Sequence, residues 1–459
     1  MNAIAEQFQV GYASVNINPP LGISIEGYYV ARFAKGILDD LTASALALDC
    51  SGNRILMISA DHVGFGALFP RFISSIAKAT GLPEENIYLA CTHTHTAPHI
   101  VPGFGGFDMD PVTEKIRRYG DFVESRLQDV AVLAIQDLKP AKMGFITGYA
   151  PERVAYIRRY KMKDGSTCTC PPINDPNIDH PLGELDQRVH VLRFDQTNGQ
   201  SIVLFNYGLH ADCIGGERIS PDWPGWTRKT LEKALDGVKC IYFPGAQGDV
   251  GSTNVHPSGG DMNDTEISFD NEMKSPGMAR FVGRALAGTI LQVYDKVEYT
   301  DVDRISILHK DVAIASNRPN PEDLPKAHLY KELHEAGKDA EIPYTAMELT
   351  TVVAESYRMC ALENGPDSFR MSVTGLQIGP IAFIGLPGEP FTEIGVRIKD
   401  TEGWKMIMPC CIVNGYRGYF PTASAYEEGG YEARSSHYQK DVAQRLIDCG
   451  KDLLKELQQ

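Results

Sequence analysis

Apolar residues along the chain fall into two rhythms. Short runs bounded by Gly, Pro, Asn and Asp read as strands, and longer stretches with a helical period read as helices. Phe8 to Asn18 is a first strand, stopped by Pro19-Pro20-Leu21-Gly22. Leu46 to Leu48 and Ile55 to Ser59 pair around Ser51-Gly52-Asn53, and Phe69 to Thr80 is a short helix ended by Gly81. Ile87 to Ala90 is the end of a buried strand. Between Thr113 and Leu138, Ile116, Tyr119, Phe122, Val123, Leu127, Val130 and Leu133 keep one helical face. Lys142 to Thr147 is a strand, and Val189 to Phe194 with Ser201 to Phe205 forms a hairpin across Thr197-Asn198-Gly199. Trp226 to Leu235 is a helix and Lys239 to Phe243 a strand. Helices follow at Gly277 to Val293 and Ala346 to Leu362, strands at Ile381 to Leu386 and Met406 to Val413, and a closing helix at Tyr438 to Leu457. The charged segment Pro319 to Pro343 reads as a peripheral helical insertion, and His256 to Lys274 as a polar, acidic loop. The alternation of strands and helices points to an α/β fold.

Composition narrows the partners. With 43% hydrophobic and 22% charged residues in 459, the chain has the make-up of a soluble globular protein. A net charge of −15 argues against nucleic acid or an anionic membrane as the main partner. The N-terminus lacks the basic start and apolar run of a signal peptide, and the longest apolar runs are too short to cross a bilayer. The ten cysteines are scattered, so reduced thiols and a cytoplasmic location are expected. Cys168-Thr-Cys170 and Cys410-Cys411 lack the spacing of a structural zinc site.

The chemistry gathers at strand ends. Asn86 to His99, NIYLACTHTHTAPH, places three of the twelve histidines, His93, His95 and His99, just beyond a strand. In an extended segment His93 and His95 point the same way, and neutral imidazole is the commonest metal ligand. Other strands run into His210, Gln247/Asp249, Glu389 and Arg417/Tyr426, with Asp61-His62 a lesser candidate. Converging strand ends bring such residues into one crevice. Two histidines and a carboxylate are the ligand set of an open catalytic zinc site. A binding pocket without chemistry is the competing reading. Arg158-Arg159 reads either as an anion clamp or as two solvated side chains.

Several stretches carry a resemblance to the catalytic domain of the neutral/alkaline (non-lysosomal) ceramidases, a family of zinc amidases. They run from GYASVNINPPLG near the N-terminus to YFPTASAYEEGGYEARSSHY near the C-terminus. Thr92 to His95 is similar to the family's THTHSGPGG, Phe243 to Asp249 to its FxxxxGD, and Leu386 to Glu389 to its PGEFTT. The tyrosine-rich segment resembles one containing EEYxxxxYE and a later Tyr. The resemblance implies mixed β-sheets packed centrally with helices outside, in one domain over 1–459. It implies Zn2+ held by His93, His210, Glu389 and Tyr426. His95, Arg158 and Tyr438 are implied around the substrate carbonyl, with Asp249 orienting groups or handling a proton. Two departures stand out. Where the family has an active-site serine this chain has Gly251, with Ser252 one residue on, and the chain stops where ceramidases continue into an immunoglobulin-like domain. The expectation is a zinc-dependent hydrolase that cleaves the amide of a small polar substrate, rather than ceramide, through metal-activated water. An esterase or lactonase with the same site is the nearest alternative, and homo-oligomerisation stays open.

Overall fold

A computed structural model describes residues 8–102, 110–257 and 274–459. Its centre is a pair of mixed sheets. The larger has nine strands, eight of them in the order Lys239–Pro244, Ser201–Tyr207, Arg188–Gln196, Lys139–Tyr149, Phe8–Asn16, Thr42–Cys50, Asn53–Ala60 and Ile87–Cys91. The pair at each end is parallel and the rest are antiparallel. The smaller sheet runs Ile305–Ala315, Ser368–Ile378, Ile381–Gly385 and Met406–Cys410, the last two parallel.

The two sheets bury one core between them, in which Leu46, Leu48, Met57 and Tyr88 meet Leu376, Ile381, Phe383 and Met408. Helices cover the outer faces. Phe69–Thr80 and Asp110–Gln136 lie over one half of the large sheet, and Asp222–Ala234 and Pro276–Tyr294 over the other. Thr392–Lys399 and Val442–Leu457 cover the small sheet. The fold class expected from sequence, α/β with central mixed sheets and outer helices, is the one observed. Among the described residues, no helix is long and apolar enough to cross a membrane.

The large sheet curls so that its two ends approach. Ser59 Oγ donates to the carbonyl of Tyr242 at 2.5 Å, and the rings of Tyr88 and Phe243 lie 5.8 Å apart. Asn414 then locks the Ile87–Cys91 edge strand: its side chain accepts from Leu89 N at 2.8 Å and donates to Ile87 O at 3.0 Å, in place of a neighbouring strand. Curling and locking set the ends of Ile87–Cys91, Ser201–Tyr207 and Ile381–Gly385 around one crevice.

The sequence pattern differs from the structure in several places. Ile305–Ala315 and Ser368–Ile378 were not expected as strands. Their inner residues alternate with outward Ser, Lys, Asp and Arg, which dilutes the apolar signal. The closing helix starts at Val442, because the backbone of Tyr438 pairs instead with Ser316. The segment 319–343 holds the helix Leu324–Glu335, which packs on the helix Ala346–Leu362. Most of the acidic loop lies outside the described residues.

Candidate active site

His93 follows the edge strand and takes a left-handed backbone, φ 67°. This turn, rather than extended alternation, swings its ring against His95, so that the two Nε2 atoms lie 3.3 Å apart. His210 follows the strand Ser201–Tyr207 and joins them; ring nitrogens of all three lie within 4.8 Å of one another. The Nδ1 of His93 faces the carbonyl of Val63 at 2.9 Å, and that of His210 faces the carbonyls of Gln247 and Val250 at 2.8 and 3.0 Å. A ring nitrogen facing a carbonyl must carry the proton, so Nε2 of each ring is a bare lone pair. Those lone pairs point at Glu389 Oε2, at 3.1 Å from His93 and 3.0 Å from His210, and all three side chains are 1% exposed.

Two lone pairs and a carboxylate oxygen at hydrogen-bond distance repel unless a cation lies among them. The set therefore fits a metal such as zinc, with each imidazole oriented through its far N–H in the manner usual for metal-bound histidine. Burial together with the charge of Arg158 pushes His210 down to about 4, which keeps it neutral as a ligand must be. Burial alone would raise the Glu389 carboxyl, but positive charge on the imidazole side, a proton or a metal ion, outweighs it and holds the carboxyl well below the usual range; Glu389 likewise draws His93 upward against burial. Burial holds His95 well below the usual imidazole value as well.

Three phenols surround this centre. Tyr416 donates to Glu389 Oε1 at 3.1 Å. Tyr419 stacks on His210 with ring centroids 6.4 Å apart, and Tyr431 packs edge-on against Tyr419 at 5.5 Å. Burial, with Glu389 nearby, raises all three well above the ordinary phenol value. Tyr426, expected as a ligand, lies elsewhere: its hydroxyl donates to the carbonyl of Tyr438 at 2.7 Å and is paired with Ser436 Oγ at 2.8 Å. Tyr438 lines the cavity but donates to the carbonyl of Arg417 at 2.7 Å.

Arg158 stands beside Tyr419, its guanidinium 5.3 Å from the ring centroid. It is fixed by donation to Glu432 at 2.7 Å and to the carbonyl of Gly248 at 2.9 Å. Arg159 turns away to Glu428 and the carbonyl of Gly429. Of the two adjacent arginines, Arg158 is the one that faces the site.

The centre opens into two joined lobes of about 540 and 460 Å³, which share His95, Tyr28, Tyr29, Tyr419 and Tyr431. The first reaches Glu26, His93, Glu389, Tyr416 and Arg417. The second reaches Arg158, His210, Asp212, Ser252 and Lys274, with Met347 and Thr350 of the helix Ala346–Leu362 at its wall. Gly27 is required where the lobes join: its φ is +108°, and a Cβ there would lie 2.9 Å from the ring of His95. A larger groove of about 810 Å³, lined by Tyr12, Asp39, Arg228 and Lys229, contains none of these residues.

No protein-family model matches the chain. It is 20% identical to a neutral ceramidase of Pseudomonas aeruginosa over 488 aligned positions, covering 95% of this chain and 67% of that protein. Its structure superposes on the crystal structure of neutral ceramidase from Pseudomonas aeruginosa with a TM-score of 0.68 at 17% identity, over 98% of this chain and 75% of that one. The fold is that of neutral ceramidase. A ceramidase complexed with C2 gives a TM-score of 0.69 at 17% identity, over 98% and 76% of the two chains.

Within this ceramidase-like frame, the remaining sequence candidates serve to hold the frame together. Asp249 Oδ1 accepts from both the backbone N and the hydroxyl of Thr392, each at 2.8 Å, at the start of the helix Thr392–Lys399. The Asp249 carbonyl accepts from Arg158 N at 3.0 Å, so this residue links the elements that carry Glu389 and Arg158 and lines neither lobe. Beside it, a Cβ on Gly248 would meet the carbonyl of Glu389 at 2.5 Å. His99 faces Ser24 Oγ at 3.0 Å, away from the trio. Asp61 is paired with Arg228 at 2.7 Å, and His62 Nδ1 faces the carbonyl of Gly64 at 3.0 Å. Tyr416 and Tyr419 sit in a strand-end segment marked as chemically rich, yet neither stood out within it. Glu26, in a loop without periodicity, gave no sequence signal.

Proposed function

We propose that this chain is a metal-dependent hydrolase, zinc being the ion its donors suit, that cleaves the C–N bond of a small polar amide. The observation that carries this reading is the convergence of two bare imidazole nitrogens and a carboxylate oxygen in one buried spot. The likeness to neutral ceramidase supports the hydrolase class. A metal there supplies Lewis acidity, polarising the scissile carbonyl and acidifying water.

The chain's own groups do the rest. His93, His210 and Glu389 hold the ion, and Tyr416 fixes the second oxygen of Glu389. His95 is placed to donate to the oxygen on which charge develops, and Arg158, immobilised by Glu432, keeps a positive charge beside it. Tyr419 and Tyr431 are the phenols within reach of the centre. Lobes of this size, lined by charged and phenolic side chains, suit a compact polar substrate. The deciding test is elemental analysis of the purified protein beside His210→Ala, followed by assay on small amides. About one zinc per chain, lost with turnover in the variant, supports the reading. Absence of metal, with no activity on adding zinc, overturns it.

A further inference from the structure

The geometry points to Glu26 as a specificity-determining carboxylate that receives a cationic nitrogen, so that the substrate carries an ammonium group on the side lying in the first lobe. This deepens the hydrolase reading, since it takes that lobe as the substrate's. Glu26 lines the same lobe as His93 and Glu389, and its side chain is 17% exposed, enough for a ligand to reach it from the cavity. Its Oε2 is closed to the cavity and has no hydrogen-bond partner among the described residues, so a ligand meets the carboxyl group at its open edge. The nearby His62 Nδ1 lies 3.9 Å away, too far for a hydrogen bond, and already faces the carbonyl of Gly64. Arg32 directs its guanidinium to backbone carbonyls instead, that of Glu26 itself at 2.5 Å and that of His95 at 2.8 Å. A buried carboxylate without a partner is costly, and a protein that keeps one at a cavity wall leaves a place for a ligand to complete it. Burial pushes this carboxyl up to about 8, so in the empty lobe at neutral pH it is mostly the neutral acid, and an ammonium ion arriving beside it supplies the missing counter-cation and draws the proton off.

The walls make a second, independent argument. Tyr28, Tyr29, Phe369, Tyr416, Tyr419 and Tyr431 face the lobe, and aromatic faces attract cations. One of them already does so within the protein: the guanidinium of Arg32 lies 3.9 Å, and the ammonium of Lys274 4.5 Å, from the centroid of Tyr28. One unpaired carboxylate among aromatic faces is the chemistry of ammonium recognition. It also answers a local problem, because a metal at His93 and Glu389 repels a cationic substrate unless a negative charge stands nearby. Arg417, also on this lobe, is solvent-exposed at the rim and is screened by water.

The test uses the zinc-reconstituted full chain and two probes of equal size, n-propylammonium and n-propanol, titrated calorimetrically at about pH 8.5, above the value of about 8 to which burial pushes Glu26 and where the amine is still protonated. The amine is expected to bind the wild type at least tenfold more tightly than the alcohol. Glu26→Gln, which keeps the shape and removes the charge, is expected to weaken amine binding at least tenfold and leave the alcohol unchanged. Equal binding of amine and alcohol by the wild type overturns the inference without recourse to any variant. So does equal amine binding by the wild type and Glu26→Gln. Metal content and amide turnover, measured on the same preparations, report on the hydrolase reading separately. Glu26-dependent amine binding without metal or turnover sinks that reading alone, and metal and turnover without it sink only this inference.

Discussion

A histidine becomes a useful ligand when its far nitrogen is occupied, and His93 and His210 both meet this condition through backbone carbonyls. The phenols are decided by equally local facts. The segment from Tyr419 to Tyr438 holds two tyrosine pairs with the same spacing, Tyr419 with Tyr431 and Tyr426 with Tyr438, so spacing alone cannot choose between them. The structure separates them: Tyr419 and Tyr431 stand at the centre, while Tyr426 is tied to Ser436 and to the Tyr438 backbone. Tyr426→Phe should therefore retain full metal content and lose about 1–2 kcal/mol of stability, measured by urea unfolding. Tyr419→Phe should lower turnover at least tenfold at unchanged stability. Loss of metal from Tyr426→Phe would reverse this assignment. Arg158→Ala leaves Glu432, 0% exposed, without its closest cation and should destabilise by about 3–5 kcal/mol, besides abolishing turnover.

The elements explain how much could be read in advance. Helices such as Phe69–Thr80 and Ala346–Leu362 and hairpins such as Arg188–Gln196 with Ser201–Tyr207 were legible because one face is continuously apolar and the turn residues are explicit. His93, His210 and Glu389 were legible for a related reason, since each lies just past a buried strand. The strands Ile305–Ala315 and Ser368–Ile378 of the small sheet and Glu26 were not, the former through diluted alternation and the latter because only the tertiary fold turns its loop toward His93. Asp249, a plausible proton carrier in sequence, instead accepts from the first turn of the helix Thr392–Lys399. Asp249→Asn should fold and keep its metal. Asp249→Ala should lose about 1–2 kcal/mol and weaken metal binding, because Glu389 lies three residues before Thr392, in the short strand that leads into that helix; competition with a chelator would detect it. Metal held equally well by Asp249→Ala and the wild type would return Asp249 to a purely local role.

Across the whole molecule, buried neutral histidines set the response to acid. Burial pushes His62 down to about 3 and His99 down to about 4, against about 6.5 in an unfolded chain. Between these values the unfolded chain binds more protons, so stability present above pH 6.5 is lost as the pH falls, by up to about 1.4 kcal/mol per unit for each histidine. Glu26, pushed up to about 8, and Asp222, pushed up to about 7, work in the opposite direction over part of this window, but His437, pushed down to about 4, and His190, held well below the usual imidazole value, add to the first two, so the histidines outnumber the carboxyls. The melting temperature should fall from pH 6.5 to pH 4.5, and His62→Gln should flatten the fall; a profile level in that interval would contradict this. The curled large sheet has a further consequence, one that concerns time. His93, His210 and Glu389 are separated by chain segments of more than a hundred residues each and hang from three strands in two sheets. During synthesis His93 and His210 emerge long before Glu389, so the three side chains can converge only after the small sheet has docked. On the metal-dependent reading proposed above, ion capture follows that docking, and a chain in which Glu389 never docks would hold no ion.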